Sequence, residues 1–189
     1  MFVRSMPFVS RAGEKLAHAL AAFRLDPTGL TCADFGASTG GFTDCLLQHG
    51  AAKVYAVETG YGTLDWKLRN DPRAVVMERT NAMHVELPEA VDVVTMDTSW
   101  TRLAKILPNA LKNLNPDGRV IALVKPHYEA GPKDLRSGKL PDEKIEEVLG
   151  RVRADAAHAG AKILQETESP IVGGKGGNRE FLWLLEAAG

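Results

Sequence analysis

The sequence predicts an α/β protein, with a mostly parallel sheet carrying helices on both faces. Three observations lead there. The stretch Thr31 to Phe42 passes from a short apolar run through glycines and small residues into a helical pattern with Phe42, Leu46 and Leu47 on one face. Strand, glycine turn and helix in that order bring a nucleotide-like ligand to the carboxyl edge of a sheet. Two strongly β-prone runs, Val91 to Met96 and Arg119 to Val124, are each followed by a charge, Asp97 and Lys125. Around them lie segments whose apolar residues recur at helical spacing.

In chain order, Ala12, Leu16, Ala19, Leu20 and Phe23 predict a helix over 10–23. Arg11 and Lys15 lie four apart on it, a like-charge pair that slightly destabilises a helix. Either they form a solvated basic face, or an anion or reacting group sits in front of them. Asp26-Pro27-Thr28-Gly29 turns the chain into a strand over 30–35. Lys53 to Glu58 predicts a second strand. A turn and short helix follow over 61–70, with Trp66 and Leu68 expected as core or shielding residues. Ala74 to Met77 is a third strand.

Leu103, Ile106, Leu107, Ala110, Leu111 and Leu114 predict a helix over 100–114, which Pro108 is expected to kink or split. Asn115-Pro116-Asp117-Gly118 is a turn, and Pro126 stops the strand that follows it. His127 to Leu140 has no apolar period. It is expected to be a mobile loop whose Lys133, Arg136 and Lys139 serve either as a basic flap over nucleic acid or as ordinary surface charges. Pro141 opens a helix, with Asp142 and Glu143 at the positive end of its dipole. Its buried stripe is Ile145, Val148, Leu149, Val152 and Ala156, and Gly160 ends it. A strand over 162–166, a flexible glycine-rich hairpin connection over 173–178 and a closing strand over 181–185 complete the chain.

The glycine turn indicates which ligand to expect. Two residues after Gly36 stands Ser38, so the dinucleotide pattern is broken, and no lysine follows as a phosphate-binding Walker loop requires. Asp34 just before the turn suits a cationic, phosphate-free ligand. S-adenosylmethionine fits, with its sulfonium, amino group and ribose diol; the alternative is a tight turn with no ligand. Gly36, Gly40 and Gly41 allow close backbone approach. Glu58, 22 residues beyond Gly36, stands where an acid meets ribose hydroxyls in nucleotide-binding units, or is a solvated strand end. Thr80-Asn81-Ala82 falls where adenine contacts are expected. If the two β-prone runs are parallel neighbours, Asp97 and Lys125 stand side by side at the same crevice.

The 189 residues suit a single domain spanning the chain, with 1–9 as a short arm, and 44% hydrophobic with 25% charged residues is an ordinary globular composition. A formal charge of −1 excludes a global positive field, so any RNA binding must come from a local patch. Cys32 and Cys45 lack zinc spacing and fit a reduced, cytoplasmic setting. The N-terminus is too short and interrupted for a signal peptide. No apolar run is long enough to cross a membrane, so neither a membrane partner nor a pore-forming role is expected. His18, His49, His84, His127 and His158 show no ligand pairing, so no metal site is expected.

Ser10-Arg11-Ala12 with Lys15-Leu16, the loop from Asp34 to Phe42, Glu78-Arg79-Thr80-Asn81, Val124-Lys125-Pro126 and Asn178-Arg179-Glu180-Phe181 together form a specific set. On these the chain resembles the FtsJ-like ribose 2′-O-methyltransferases, and among them the haemolysin-A (TlyA) type rRNA methyltransferases, over nearly its whole length. The resemblance implies a Rossmann-like class I S-adenosylmethionine-dependent methyltransferase fold with an antiparallel C-terminal strand. It implies that Lys15, Asp97, Lys125 and Glu180 are the family's Lys-Asp-Lys-Glu catalytic tetrad. Asp34, Gly36, Ala37, Ser38, Thr39, Gly40, Gly41, Phe42, Glu58, Asn81 and Asp97 would then hold the cofactor. Arg11, Lys133, Lys175 and Arg179 would form a rim for RNA, ribosomal RNA in the first place.

Two departures stand out. The haemolysin-A type carries a small N-terminal RNA-binding domain, and only about ten residues precede the first motif here, so that domain is expected to be absent. Thr98-Ser99-Trp100 follows Asp97 where the family has a smaller residue and a Phe. A non-catalytic or partner-dependent S-adenosylmethionine-binding protein and a small-molecule methyltransferase are the alternatives. The complete tetrad speaks against the first and the basic rim against the second.

Overall fold

The computed structural model describes residues 7–99, 101–174 and 176–189. Seven strands form one sheet: β1 (Thr31–Phe35), β2 (Lys53–Val57), β3 (Ala74–Met77), β4 (Val91–Met96), β5 (Leu114–Val124), β6 (Ala161–Glu168) and β7 (Phe181–Ala187). Their order is β3-β2-β1-β4-β5-β7-β6. β1 to β5 pair in parallel, while β7 runs antiparallel to both β5 and β6. The helices are α1 (Ala12–Phe23), α2 (Gly41–Gln48), α3 (Trp66–Arg69), α4 (Leu103–Lys112), α5 (Pro126–Glu129) and α6 (Asp142–His158).

Alternation along the strands builds two cores. Ala33 and Phe35 of β1, Val120, Ala122 and Val124 of β5, and Trp183 and Leu185 of β7 face α4 and α6. Cys32, Ile121, Leu123, Leu182 and Leu184 point the other way, against Leu16 and Leu20 of α1 and Leu46 and Leu47 of α2. Parallel strands covered on both faces read as continuous apolar runs, which is why β4 and β5 were conspicuous in the sequence. The chain leaves β1 toward β2 on one side and returns beside it as β4 on the other. Ligands bind outside the carboxyl ends of strands at such a reversal.

Several local expectations need correction. Pro108 does not split α4. It is exposed, and the helical bond its missing N–H would make is to Ala104, in the first turns of the helix. The turn Asn115–Gly118 lies inside β5 as an irregularity, where the register jumps from Val91↔Leu114 to Val93↔Arg119. Pro141 caps α6 from one residue outside it. Trp66 is 76% exposed whereas Leu68 is buried, because residues two apart on a one-turn helix point in roughly opposite directions. The segment 127–140 has structure of its own: α5, a 3₁₀ turn at Pro132–Asp134 and a bridge between Arg136 and Lys139. Ala130 and Leu140 anchor it in the core.

The docking of α1 on α2 places the first candidate lysine. Asp44 of α2 accepts the Val9 N–H at 2.9 Å, which fixes the chain just before α1. A Cβ added at Gly41 would lie 2.2 Å from Ser10 Oγ and 2.9 Å from Ala12 Cβ. Gly41→Ala is therefore expected to push α1 away from α2 at a cost of about 1–3 kcal/mol, read as a lower urea midpoint. An unchanged midpoint would show that the two helices have room to spare.

Candidate active site

Three connected chambers lie at the carboxyl edge of the sheet. The largest part of the first, roughly 320 Å³, runs from Gly36 and Ser38 past Glu58 to Asn81, Ala82, Met83 and Ile106. Glu58 follows the last residue of β2 and accepts backbone N–H groups from Ser38 at 2.8 Å and Gly60 at 2.7 Å. Its carboxylate is thus held at the chamber wall. The second chamber, about 160 Å³, extends from Gly36 to Ala37, Thr39, Gly41 and Phe42, with Ser10 and Ala12 opposite. Gly36, Ser38, Asp97 and Ser99 belong to both. Gly36 has φ +88°, and a Cβ there would come within 2.8 Å of the Asp97 carbonyl oxygen, so only glycine lets the ends of β1 and β4 approach this closely.

This pair of chambers fits a nucleoside with a charged tail. A flat apolar slot bounded by Ala82, Met83 and Ile106 suits a base, Glu58 suits a vicinal diol, and the smaller chamber over bare backbone suits an amino-acid end. Asn81 accepts the Met83 N–H at 2.9 Å, an Asx turn that shapes the slot.

The third chamber, about 570 Å³, meets the second at Ser99 and Lys125. Lys15, Lys125 and Glu180 all line it. Lys125 Nζ donates to Asp97 Oδ1 at 2.5 Å, and Lys15 Nζ donates to Glu180 Oε2 at 2.5 Å. The four residues come from α1, the end of β4, the end of β5 and the entry to β7. The two pairs therefore meet only because the sheet brings those ends together. Glycines 173 and 174 border the chamber beside Gly138. Asn178 latches this side by accepting the Leu140 N–H at 2.9 Å and donating to the Gly138 carbonyl at 3.2 Å.

Not every candidate residue faces a ligand. Asp34 is fully buried, and its carboxylate accepts the Thr43 N–H, the Thr43 hydroxyl and the Thr95 hydroxyl at 3.0, 2.7 and 3.1 Å. It forms the floor of the second chamber and staples the turn to α2 and β4, where a direct partner for a cation was expected. Gly40 lines neither chamber; with φ +101° it caps α2. Arg179 is partly exposed and donates to Glu168 through two bonds of 2.6 Å, so a phosphate would have to compete with that carboxylate for it. Arg11 and Lys133 are exposed, and Lys175 lies outside the described residues.

Sequence reasoning missed Ser99, His127 and Asn178. Ser99 touches all three chambers. His127 Nδ1 is buried without a hydrogen-bond partner among the described residues, and burial, then the charges of Lys125 and Lys15, hold its pKa below the usual imidazole value. The only sequence signal for it was its place two residues after Lys125. Asn178 sat within a recognised motif, but its latching role depends on a contact 40 residues away in sequence.

The FtsJ-like methyltransferase family model matches residues 8–186. The 16S/23S rRNA (cytidine-2′-O)-methyltransferase TlyA of Mycobacterium tuberculosis is 43% identical over 184 residues, which cover 94% of this chain and 68% of that protein. Hemolysin A of Brachyspira hyodysenteriae is 41% identical over 186 residues, 95% of this chain and 77% of its own. A solved hemolysin structure from Streptococcus thermophilus superposes with a TM-score of 0.93 at 42% identity, over 99% of this chain and 70% of that one.

Burial, countered in part by the bonds from Thr43 and Thr95 and reinforced by Asp97, raises the Asp34 pKa to about 7. A carboxyl with a folded pKa above its unfolded value adds stability in full below about pH 4 and loses it as pH rises through 7. Asn at this position can accept from Thr43 and donate to the Thr95 hydroxyl without titrating. Asp34→Asn is therefore expected to remove a pH-dependent contribution on the order of 1–4 kcal/mol between pH 4 and 7. Parallel stability–pH curves for the two proteins in urea would show that Asp34 does not titrate there.

Proposed function

The chain belongs to the FtsJ-like methyltransferase family, and from that premise we propose that it methylates a ribose 2′-hydroxyl of RNA, with ribosomal RNA as the substrate class and the cytoplasm as its setting. The observation that carries the reading is the placing of two lysine–carboxylate pairs around the third chamber, Lys125 with Asp97 where it meets the second chamber and Lys15 with Glu180 on its own wall. S-adenosylmethionine supplies an electrophilic methyl group on a sulfonium.

The chain's own residues do the rest. Glu58 and the backbone of Gly36 to Thr39 hold the ribose and amino-acid parts of the cofactor, with Asn81 and Met83 beside the adenine. Displacement at a methyl group must be in line, so much of the acceleration comes from positioning the hydroxyl. Lys125 stands at the doorway between the second and third chambers. An ammonium has three donors; one goes to Asp97, and another is available to a hydroxyl in the third chamber. That donor orients the oxygen and stabilises the negative charge it develops as the proton leaves. Asp97 keeps Lys125 in place, and Glu180 does the same for Lys15. Both lysines donate to carboxylates, which favours electrostatic stabilisation over the use of either amine as the proton acceptor.

Lys125→Ala is expected to lower methyl transfer at least 100-fold on the order of an oxyanion-donor loss, while binding of S-adenosylmethionine by calorimetry stays within a few-fold of wild type. The assay incubates the protein with labelled methyl donor and ribosomal subunits, intact ribosomes or bulk tRNA, and maps the modified ribose. Near-normal turnover by the variant would refute the role given to Lys125. Label on a base, or on no RNA, would refute ribose chemistry.

A further inference from the structure

The family reading concerns the methyl donor and the target hydroxyl, and says nothing about how the rest of an RNA strand lies on this surface. A recess of about 350 Å³ at the start of α4 bears on that question. It is lined by Met83, Thr101, Arg102, Lys105 and Tyr128. Met83 and Thr101 also line the cofactor chamber, and Tyr128 also lines the chamber holding Lys15, Lys125 and Glu180. The recess is thus next door to both reactants.

Its two cations stand without a salt bridge among the described residues. Arg102 and Lys105 are exposed, and among the described residues neither has a carboxylate within ion-pair distance. Several other surface cations are engaged: Arg179 with Glu168, Arg136 with Glu143 at 3.6 Å, and Lys112 at the far end of α4 with Glu86 at 2.9 Å. Glu129 accepts the Leu103 N–H at 2.8 Å; burial raises its pKa, and that bond and the charge of Arg102 act against the rise.

Placement on the helix adds a second argument. Arg102 caps α4 and Lys105 lies three residues on, so both are on the same side of the first turn. The first turn carries no acidic residue. Cations at the positive end of a helix dipole work against folding. Glu129 offsets part of that cost through the Leu103 N–H and the charge of Arg102, and an anion in the recess would be met by the side chains of both Arg102 and Lys105.

We propose that this recess binds the phosphodiester backbone of the RNA beside the target nucleotide, with Arg102 and Lys105 each contacting a phosphate. The proposal rests on the RNA reading above. The strand passes over Tyr128 between the target ribose in the third chamber and its neighbouring phosphates in the recess. Such contacts hold the strand in register without reading its sequence.

The test measures binding of a labelled single-stranded RNA oligomer of mixed sequence at a series of salt concentrations. Each phosphate contact on a single strand contributes about 0.7 to the slope of log K against log salt. Arg102→Gln with Lys105→Gln is expected to lower the slope by about 1.4, to raise KM for ribosomal RNA several-fold and to leave S-adenosylmethionine affinity and kcat unchanged. The charge-keeping exchange Arg102→Lys with Lys105→Arg is expected to restore the slope, and Lys112→Gln to leave it as in wild type. A double variant with the wild-type slope, in a protein that still methylates ribose, overturns the recess alone. A wild-type protein whose RNA binding ignores salt and which modifies no ribose overturns the recess together with the reading beneath it.

Discussion

An ammonium group withdrawn from water is tolerated only beside a carboxylate, and this chain withdraws two. Lys15 pairs with Glu180 and Lys125 with Asp97, each largely shielded from solvent. Stability is a poor explanation for them. Well-packed apolar residues often replace a buried ion pair at no loss, whereas losing one member costs about 3–5 kcal/mol. Folding alone would favour four aliphatic side chains at these places. What the pairs provide is two fixed ammonium groups beside a chamber, held by partners on neighbouring elements. Everything else in the architecture serves to keep α1 and the ends of β4, β5 and β7 at that meeting point.

The sheet does this in two steps. Reversal of strand order at β1 opens a crevice, and Gly36 lets the ends of β1 and β4 come close enough for Asp97 to belong to both cofactor chambers. The antiparallel β7 is then inserted between β5 and β6, so Glu180, just ahead of its first residue, arrives beside the end of β5 and reaches Lys15 on α1. Had β7 run parallel to β5, its start would lie at the opposite edge and Glu180 with it. Asp97 couples the two halves: its backbone walls the cofactor chambers, and its carboxylate holds Lys125.

Much of this was legible in the chain. The strands β1, β3 and β4 and the stripe of α6 follow from apolar periodicity, which burial on both faces enforces. The tetrad was legible only as a motif, because nothing in local sequence says that residue 15 meets residue 180. Asp34 was misread for a physical reason: an acid before a glycine turn looks the same whether it faces a ligand or turns inward to Thr43 and Thr95. The partner of Arg179 was hidden likewise, since Glu168 becomes its neighbour only through the pairing of β6 with β7. The stretch 127–140 was underestimated because a single helical turn and a 3₁₀ turn are shorter than any detectable period. Its anchors Ala130 and Leu140 are isolated apolar residues.

On the proposed reading, the distribution of charge would let a protein of formal charge −1 hold a polyanion in one orientation. Inside the third chamber each lysine has its own acid, so the chamber is close to neutral and offers hydrogen-bond donors without a strong net field. A phosphate group there would be repelled by Glu180 as well as attracted by the lysines, while an uncharged hydroxyl can accept from an ammonium and donate to a carboxylate without that repulsion. Outside, Arg11, Lys133, Arg102 and Lys105 form no salt bridge among the described residues, with only Glu129 in electrostatic reach of Arg102, and on the same reading they are open to phosphates. Paired cations within and unpaired ones without sort a nucleotide by its parts: the ribose edge is admitted toward Lys125, and the backbone stays at the rim. That sorting would place the 2′-hydroxyl, rather than a base or a phosphate oxygen, in front of the methyl donor.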